Sequence, residues 1–479
     1  MAATTAGLMC VSATLGGVAA SAAEAGQARA AVTGIKGDPQ PELKPFKIAG
    51  TGSGGASAAI ESNGAMVVAY DVANGDGKVV VCVLNRGASK CASSVTLSPL
   101  SGDDTEGTPS AYVFTPSANH VVVLMSSCCD SNVNGGDLVF TSTNGGRTFA
   151  APVRVGSAGM SAAALVGSQI VFESGGSDGA GVEAVPALGA TAPPAATATA
   201  FTATSYAQGV GSYRGGALIA SQYDGSKVDS TYVAYAPKGK NFNATGSYHK
   251  VGSFSDEELE GMSGNALLTE TASGALRVRL FNGTAFGPAH TVPALGHLGG
   301  PVWWGFDQDP RGQVHVISDR AFEPVSYHVY IQSSATGAAW SSPLNLGDGS
   351  TDDYFGVALD SLGSGLVVGT ADHEPVWAYP VLAPQGVSFS LKNSTIAKGH
   401  STVASGKGSP IGKGRAVQLQ VERSGLWYWV ATTHENASGA FSFTIKGTTA
   451  GTRDYRAMVS DFAGYLQFGY SAARALKVS

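Results

Sequence analysis

The sequence predicts an all-β protein, an array of similar short β-units followed by a separate β-sandwich. Three observations predict it. The chain of 479 residues holds 65 Gly but only 13% charged residues, a turn-rich and charge-poor composition that suits many tight hairpins. No long stretch carries apolar residues at helical spacing. Glycine-centred turns followed by an aromatic residue recur along most of the chain. The length allows two or three domains with substantial cores.

The best-formed turn is Ser142-Thr143-Asn144-Gly145-Gly146-Arg147-Thr148-Phe149. Gly146 supplies backbone freedom, the short polar side chains cap the turn, and Phe149 packs beneath it. These eight residues resemble the Asp-box, Ser-x-Asp-x-Gly-x-Thr-Trp, of sialidase-like (BNR) β-propellers, with Asn144 in place of Asp and Phe149 in place of Trp. In that family the box closes the hairpin between the third and fourth strands of a blade. The resemblance implies a propeller. It transfers no catalytic residue, because the box lies on the face opposite the family's usual active site.

The turn recurs in decayed form. Ser333 to Trp340 keeps the frame with Ala in place of Asp and Thr, and Tyr235 to Phe242 keeps only the Gly and the aromatic. Weaker turns surround Gly87, Gly189 and Gly283. The glycines at 87, 146, 189, 239, 283 and 337 are 59, 43, 50, 44 and 54 residues apart, near the size of one four-stranded blade. Similar outer strands follow several turns, as in Phe149–Gly156, Phe286–Pro293 and Trp340–Gly347. Leu43–Gly50 has the same character with no unit ahead of it, and the last unit, ending near Ala383, lacks such a strand. Leu43–Gly50 is therefore expected to complete the last blade, which removes exposed sheet edges. Inner strands are expected near Ala56, Pro109, Ala162, Gly209, Gly264, Pro301 and Phe355. The expectation is a seven-bladed β-propeller over residues 31–386. Six blades, as in catalytic sialidases, is the alternative, because the unit from Gly156 to about Ala203 is faint.

From Val387 the pattern becomes one of alternating strands at Val417–Glu422, Trp427–Ala431, Gly439–Ile445 and Tyr455–Val459. Residues 387–479 resemble the Ig-like β-sandwich modules appended to exported actinobacterial proteins. Trp427 and Trp429 are read as core and edge packing. Residues 31–386 carry 17 Lys and Arg against 30 Asp and Glu, a net −13, whereas residues 387–479 carry 11 against 4, a net +7. An acidic array argues against nucleic acid as partner.

Residues 1–30 read as an export leader, with an apolar small-residue run from Ala6 to Ala20 and A-x-A-type sites at Ser21–Ala23 and Ala28–Ala30. No other segment is long and apolar enough to span a bilayer. A secreted, extracellular location, free or at the cell surface, follows as the expectation. Outside the leader four of the five Cys remain, which in an exported chain favours disulfides. Cys82 and Cys91 flank a hairpin turn and could pair, while Cys128 and Cys129 are adjacent.

In propellers of this kind ligands bind on the face formed by connections from an outer strand to the next inner strand and by hairpins between second and third strands. Acidic residues concentrate in those segments: Asp103, Asp104, Glu106, Asp256, Glu257, Glu258, Glu260, Asp352 and Asp353 in the first kind, and Asp130, Asp137, Asp178, Asp224, Asp319, Glu323, Asp372 and Glu374 in the second. Such carboxylates suit cation binding or carboxylate-pair glycoside chemistry. Arg214 and Tyr223 are expected to reach this face. Trp303 and Trp304, neighbours on a strand, face opposite ways, so one is expected toward the neighbouring blade and the other toward the ligand face as an aromatic plate for a sugar, with inter-blade packing of both as the alternative. The segment Asp130-Ser131-Asn132-Val133-Asn134-Gly135-Gly136-Asp137 reproduces the first half of an EF-hand-type loop, in which alternate oxygens converge on one cation. Asp130, Asn132, Asn134 and Asp137 are the predicted ligands, with calcium as the metal. Thr141 stands where the bidentate Glu belongs.

A working sialidase needs three Arg on the substrate carboxylate. Where the family has its first Arg this chain has Lys47, and Lys cannot reproduce a bidentate clamp. Gly175–Gly179 matches G-x-S-x-G only formally, because it lies in a hairpin loop. The resulting expectation is a non-catalytic recognition protein that binds carbohydrate or another surface polymer through the acidic face, with a structural scaffold that binds a protein partner as a further alternative. The alternative is a glycoside hydrolase or polysaccharide lyase using Asp352, Asp353, Tyr354, His373, Glu374 and Arg320.

Overall fold

The computed structural model describes residues 34–40, 44–50, 52, 55–72, 77–100, 110–126, 136–156, 160, 162–176, 179–192, 197–201, 206–223, 230–293, 304–322, 326–349, 354–370, 375–461 and 466–479. Among them the chain is all-β, with one 3₁₀ turn at Thr245–Ser247 and no α-helix.

Seven four-stranded antiparallel sheets, compatible with propeller blades, occupy the chain up to Val381. Strand β1 (Phe46–Ala49) precedes them. The first sheet holds β2 (Ala56–Ile60), β3 (Met66–Asp71), β4 (Val79–Leu84) and β5 (Ser93–Leu97); the second β6 (Ser110–Ser117), β7 (His120–Ser126), β8 (Leu138–Ser142) and β9 (Val153–Arg154). The third holds β10 (Ala163–Val166), β11 (Gln169–Gly176), β12 (Gly179–Pro186) and β13 (Ala198–Thr199); the fourth β14 (Tyr206–Tyr213), β15 (Gly216–Tyr223), β16 (Ser230–Ala236) and β17 (His249–Ser255). The fifth holds β18 (Glu257–Ser263), β19 (Ala266–Thr271), β20 (Leu276–Leu280) and β21 (His290–Thr291); the sixth β22 (Trp304–Gln308), β23 (Val314–Phe322), β24 (Ser326–Ser334) and β25 (Leu344–Gly349). The seventh joins β26 (Tyr354–Leu359), β27 (Gly365–Thr370) and β28 (Val376–Val381) to β1, which pairs with β28 through Phe46 and Ala378. The faint third unit is thus a complete sheet, and Phe46–Ala49, within the stretch expected to do so, supplies the outer strand of the last.

The apolar residues explain the arrangement. Every residue of β3 is buried, so the sheet must be covered on both faces. Alternate residues go to different neighbours: Val67 and Ala69 pack with Val121 and Val123 of the second sheet, while Val68 and Tyr70 pack with Leu366 and Val368 of the seventh. The same division recurs between each consecutive pair of sheets. The first strands touch in order, and β26 returns to β2. All six turn glycines, 87, 146, 189, 239, 283 and 337, have positive φ and join third to fourth strands. In the best-formed turn Ser142 Oγ accepts from Gly146 N at 2.9 Å, and Asn144 Oδ1 accepts from the backbone N–H groups of Arg147 and Thr148. Asn144 therefore caps this turn through one side-chain oxygen. Cys82 and Cys91 form a disulfide.

One boundary differs from expectation. The inner strand of the fifth sheet is Glu257–Ser263, and Gly264 is the turn after it. The run of Glu reads as a loop from sequence, yet Asp256 alone separates β17 from β18.

Strands β29 (Gly386–Leu391) to β37 (Arg474–Val478) build a three-stranded and a larger sheet with a shared core around Val417, Leu419, Phe441 and Phe443. Strand β33 (Leu426–His434) is an edge, and Ile35 bridges to its Trp427. Arg456 stacks on Trp427 and Tyr470 and hydrogen-bonds Gly37 O and Asp38, so residues 34–40 dock on these strands before the chain enters the seventh sheet. Trp427 is packed, whereas Trp429 is 49% exposed.

Candidate ligand-binding face

The antiparallel order gives the ring two ends. Connections from a fourth strand to the next first strand, and hairpins between second and third strands, lie at one end, the loop face. Turns between first and second and between third and fourth strands lie at the other, the turn face.

The loop-face end of the fifth sheet is acidic. Glu257, the first residue of β18, is buried, and its carboxylate accepts from Arg279 Nη1 at 2.5 Å and Nη2 at 2.9 Å, from Arg277 Nη1 at 2.8 Å and from Thr269 Oγ1 at 2.7 Å. Burial alone would raise its pKa, but the hydrogen bonds from Arg279, Thr269 and Arg277 outweigh burial and hold it at about 2. This ion pair explains how a Glu-rich run becomes a strand.

Next to it, Glu258 pairs across the sheet with Glu270, and a bulge between Leu259 and Gly261 leaves Glu260 without a cross-strand partner. Bulges of this kind re-aim a side chain. Glu260 is half-buried and in hydrogen-bond contact with Glu270. Burial and the charges of Glu270 and Glu258 push its pKa up to about 7. Glu270 is raised too, by burial and then by Glu258. A proton held between two such carboxyl groups would offset the repulsion between them.

Three predicted site residues join this region by backbone position. Trp304 opens β22 and Tyr354 opens β26, neighbouring first strands at the loop face, and Arg320 lies toward the loop-face end of β23, opposite His328. Tyr223 ends β15 at the same face, in the fourth sheet. Arg214 is a correction. It sits between β14 and β15 with φ 50°, in a first-to-second-strand turn, and so lies on the turn face. A positive-φ Arg-Gly pair closes a tight hairpin, and the sequence reading did not place that hairpin. Asp352, Asp353, His373, Glu374 and Trp303 lie outside the described residues, as do Asp130, Asn132 and Asn134.

Asp137 is described and fully enclosed. It sits between the second and third sheets with Arg154 and Glu183. A Cβ at Gly156 would lie 2.7 Å from Asp137 Oδ2 and 3.0 Å from Glu183 Oε2. Burial raises the Asp137 carboxyl to about 7; hydrogen bonding with Ser126 opposes this, and the charge of Glu183 adds to it. Glu183 also accepts from Thr197 Oγ1 at 2.8 Å.

Sequence reasoning missed a regular feature. Each second strand carries a buried polar residue toward its loop-face end: Asp71, Ser126, Glu173, Ser221, Thr269, Ser318 and Thr370. The signal was present as a polar residue closing an apolar run. Asp71 is 1% exposed with neither carboxylate oxygen hydrogen-bonded, and burial raises it to about 8.

No family model matches the chain, and no curated protein matches it. Among solved structures it is similar to the Dos1 propeller (12% identity over 62% of this chain and 69% of that one, TM-score 0.37). It is also similar to a point mutant of the Aleuria aurantia lectin in complex with alpha-methyl-L-fucoside (12% identity, 85% and 99%, TM-score 0.34). A third likeness is to the polysaccharide lyase Uly1 (9% identity, 88% and 89%, TM-score 0.26). At these identities and TM-scores the likenesses identify neither a family nor an activity.

Proposed function

We propose that this chain is an exported recognition protein that binds carbohydrate or another surface polymer through the loop face. In this reading residues 31–386 are a seven-bladed, sialidase-like propeller with degenerate Asp-boxes, closed by its N-terminal strand, and residues 387–479 are an Ig-like β-sandwich. The Cys82–Cys91 disulfide supports an oxidising compartment, and among the described residues no helix is long and apolar enough to cross a membrane.

The observation that carries the reading is the carboxyl group of Glu260 between Glu258 and Glu270, backed by the Glu257–Arg279 ion pair. Carboxyl oxygens on a rigid strand accept hydrogen bonds from polyol hydroxyls in fixed directions. Trp304, Arg320 and Tyr354 stand on neighbouring strands at the same face. Calcium at the 130–137 loop is the second part of the proposal. Asp137 would then serve from an enclosed position.

Glu260, held at about 7, also has the property of a general acid, which favours a glycoside hydrolase or lyase as the second reading. Hydrolysis needs two carboxyl groups roughly 5–9.5 Å apart with the sugar between them. Glu260 and Glu270 hydrogen-bond to each other, closer than that spacing, so this pair suits binding better than hydrolysis.

Glycan-array binding of residues 31–479, with calcium and with chelator, tests it. Binding to a defined sugar class that falls in the double variant E260Q/E270Q is the expected result. No binding in either condition would move the assignment to a protein partner.

A further inference from the structure

A cavity of about 670 Å³ runs along the axis of the ring. The first strands of all seven sheets line it: β2, β6, β10, β14, β18, β22 and β26. That volume is within the range of small-molecule sites. Toward the turn face it meets a second cavity, since Ala58, Asp307 and Val357 line both.

Asp307 is the one charged residue in the lining of the axial cavity among the described residues. It stands next to last in β22 and is half-buried, so the surface it keeps opens into these two cavities. Ser263 Oγ, in the same lining, donates to Asp307 Oδ1 at 2.7 Å. The other donor, the Gln308 backbone N–H, is shared with Ser263 Oγ. Both donors are neutral, and a carboxylate has about four acceptor sites. Glu257, Asp309 and Asp360 each have an Arg, whereas no Lys or Arg acts on Asp307 among the described residues. His315, whose charge does act on it, is hydrogen-bonded to Asp309 and Ser333. Burial holds the Asp307 carboxyl above its ordinary pKa against these hydrogen bonds, as expected of a charge without a full complement.

The remaining walls decide the class of cation. Phe306 and Phe355, both half-buried, give the cavity apolar sides. Among the described residues no group of three His, Cys, Asp or Glu is placed to hold a metal ion. One carboxylate between apolar walls suits N–H donors on an aliphatic body better than a metal ion, which needs several oxygen ligands.

We infer that the axial cavity binds a small aliphatic ammonium ion, with its charged N–H groups on the Asp307 carboxylate and its C–H surface against Phe306 and Phe355. The site uses none of the carboxyl groups proposed to bind carbohydrate and does not depend on that function.

Calorimetric titration of the purified chain with n-butylammonium and with putrescine, at fixed ionic strength, tests it. 1-Butanol is the uncharged control of the same chain length. The expected result is saturable binding of at least one ammonium ion and at least tenfold weaker binding of the control. D307N keeps an oxygen for Ser263 but removes the charge, and it should weaken binding about tenfold or more. S212L narrows the cavity from β14, where Ser212 lines it, and should weaken binding too, while E260Q/E270Q should leave it unchanged. Thermal melts of each variant separate loss of binding from loss of folding, and S212L carries the test should D307N fail to fold. No binding of either ammonium ion, equal binding of n-butylammonium and 1-butanol, or an affinity unaffected by a folded D307N variant or by a folded S212L variant would overturn the inference.

Discussion

Arg86 Nη1 donates to Asp360 Oδ2 at 2.5 Å across 274 residues of sequence. Arg86 follows β4 of the first sheet, and Asp360 follows β26 of the seventh. The pair therefore ties the first sheet to the seventh on the turn face, while β1 separately completes the seventh sheet by joining β28. Burial would raise the pKa of Asp360, but Arg86 and the N–H groups of Ser364 and Leu362 bring it below its ordinary value. Both side chains are mostly shielded, at 17% and 14% exposure. Removing one partner leaves a shielded charge unpaired, so R86A or D360N should each cost about 1–3 kcal/mol. Urea midpoints of both variants and of the double variant measure the coupling. Additive effects would show that the pair is not a closure contact.

Glu257 should set part of the acid sensitivity. Its folded pKa of about 2 lies below the ordinary 4.5. A depressed carboxylate contributes stability above its unfolded pKa, and that contribution is lost as pH falls from about 4.5 through about 2, on the order of 3 kcal/mol in all. E257Q should be destabilised at pH 7, because Arg279 is left buried without its partner, and it should lose less on acidification. Equal acid sensitivity of both proteins in denaturant melts would contradict this.

Glu260 should act with the opposite sign. Its folded pKa of about 7 lies above 4.5, so the folded state holds the proton more tightly. Its destabilising effect is absent below about 4.5 and complete above about 7. E260Q should be more stable than wild type at pH 8 and equal to it at pH 4. Thermal melts at the two pH values decide between this and a uniform shift.

The Cys82–Cys91 disulfide closes a short loop, with a sequence separation of 9. Replacing both Cys by Ser should cost about 2–3 kcal/mol by the loop-entropy relation, with larger loss wherever the buried Cys82 site fits Ser poorly. A denaturant midpoint unchanged from wild type would count against a structural role.

Much of the architecture was legible in the sequence because it depends on local chemistry. Gly146 and its counterparts mark third-to-fourth-strand turns whose positive φ few other residues tolerate, and the spacing of those turns set the unit. Phe46–Ala49 was placed by the absence of an outer strand elsewhere. The fifth sheet was misread because charge neutralisation is non-local. Glu257 belongs to a strand only because Arg277 and Arg279, two strands away, pair with it. Arg214 was misplaced for a similar reason, since its face depends on which hairpin it closes. Glu183 and Asp71 gave only a weak signal, a single acidic residue inside or at the end of an apolar strand. The docking of residues 34–40 on Arg456 had no local signature, because it joins positions far apart in the chain, such as Gly37 and Arg456, separated by 419.

The proposed recognition surface is the set of carboxyl groups of the fifth sheet at the loop face. The most direct measurement is glycan binding by residues 31–479 compared with the same protein carrying E260Q/E270Q, at matched folding stability. Binding to a defined sugar class that drops about tenfold or more in the variant is the expected result. Binding that is unchanged in the variant would contradict it.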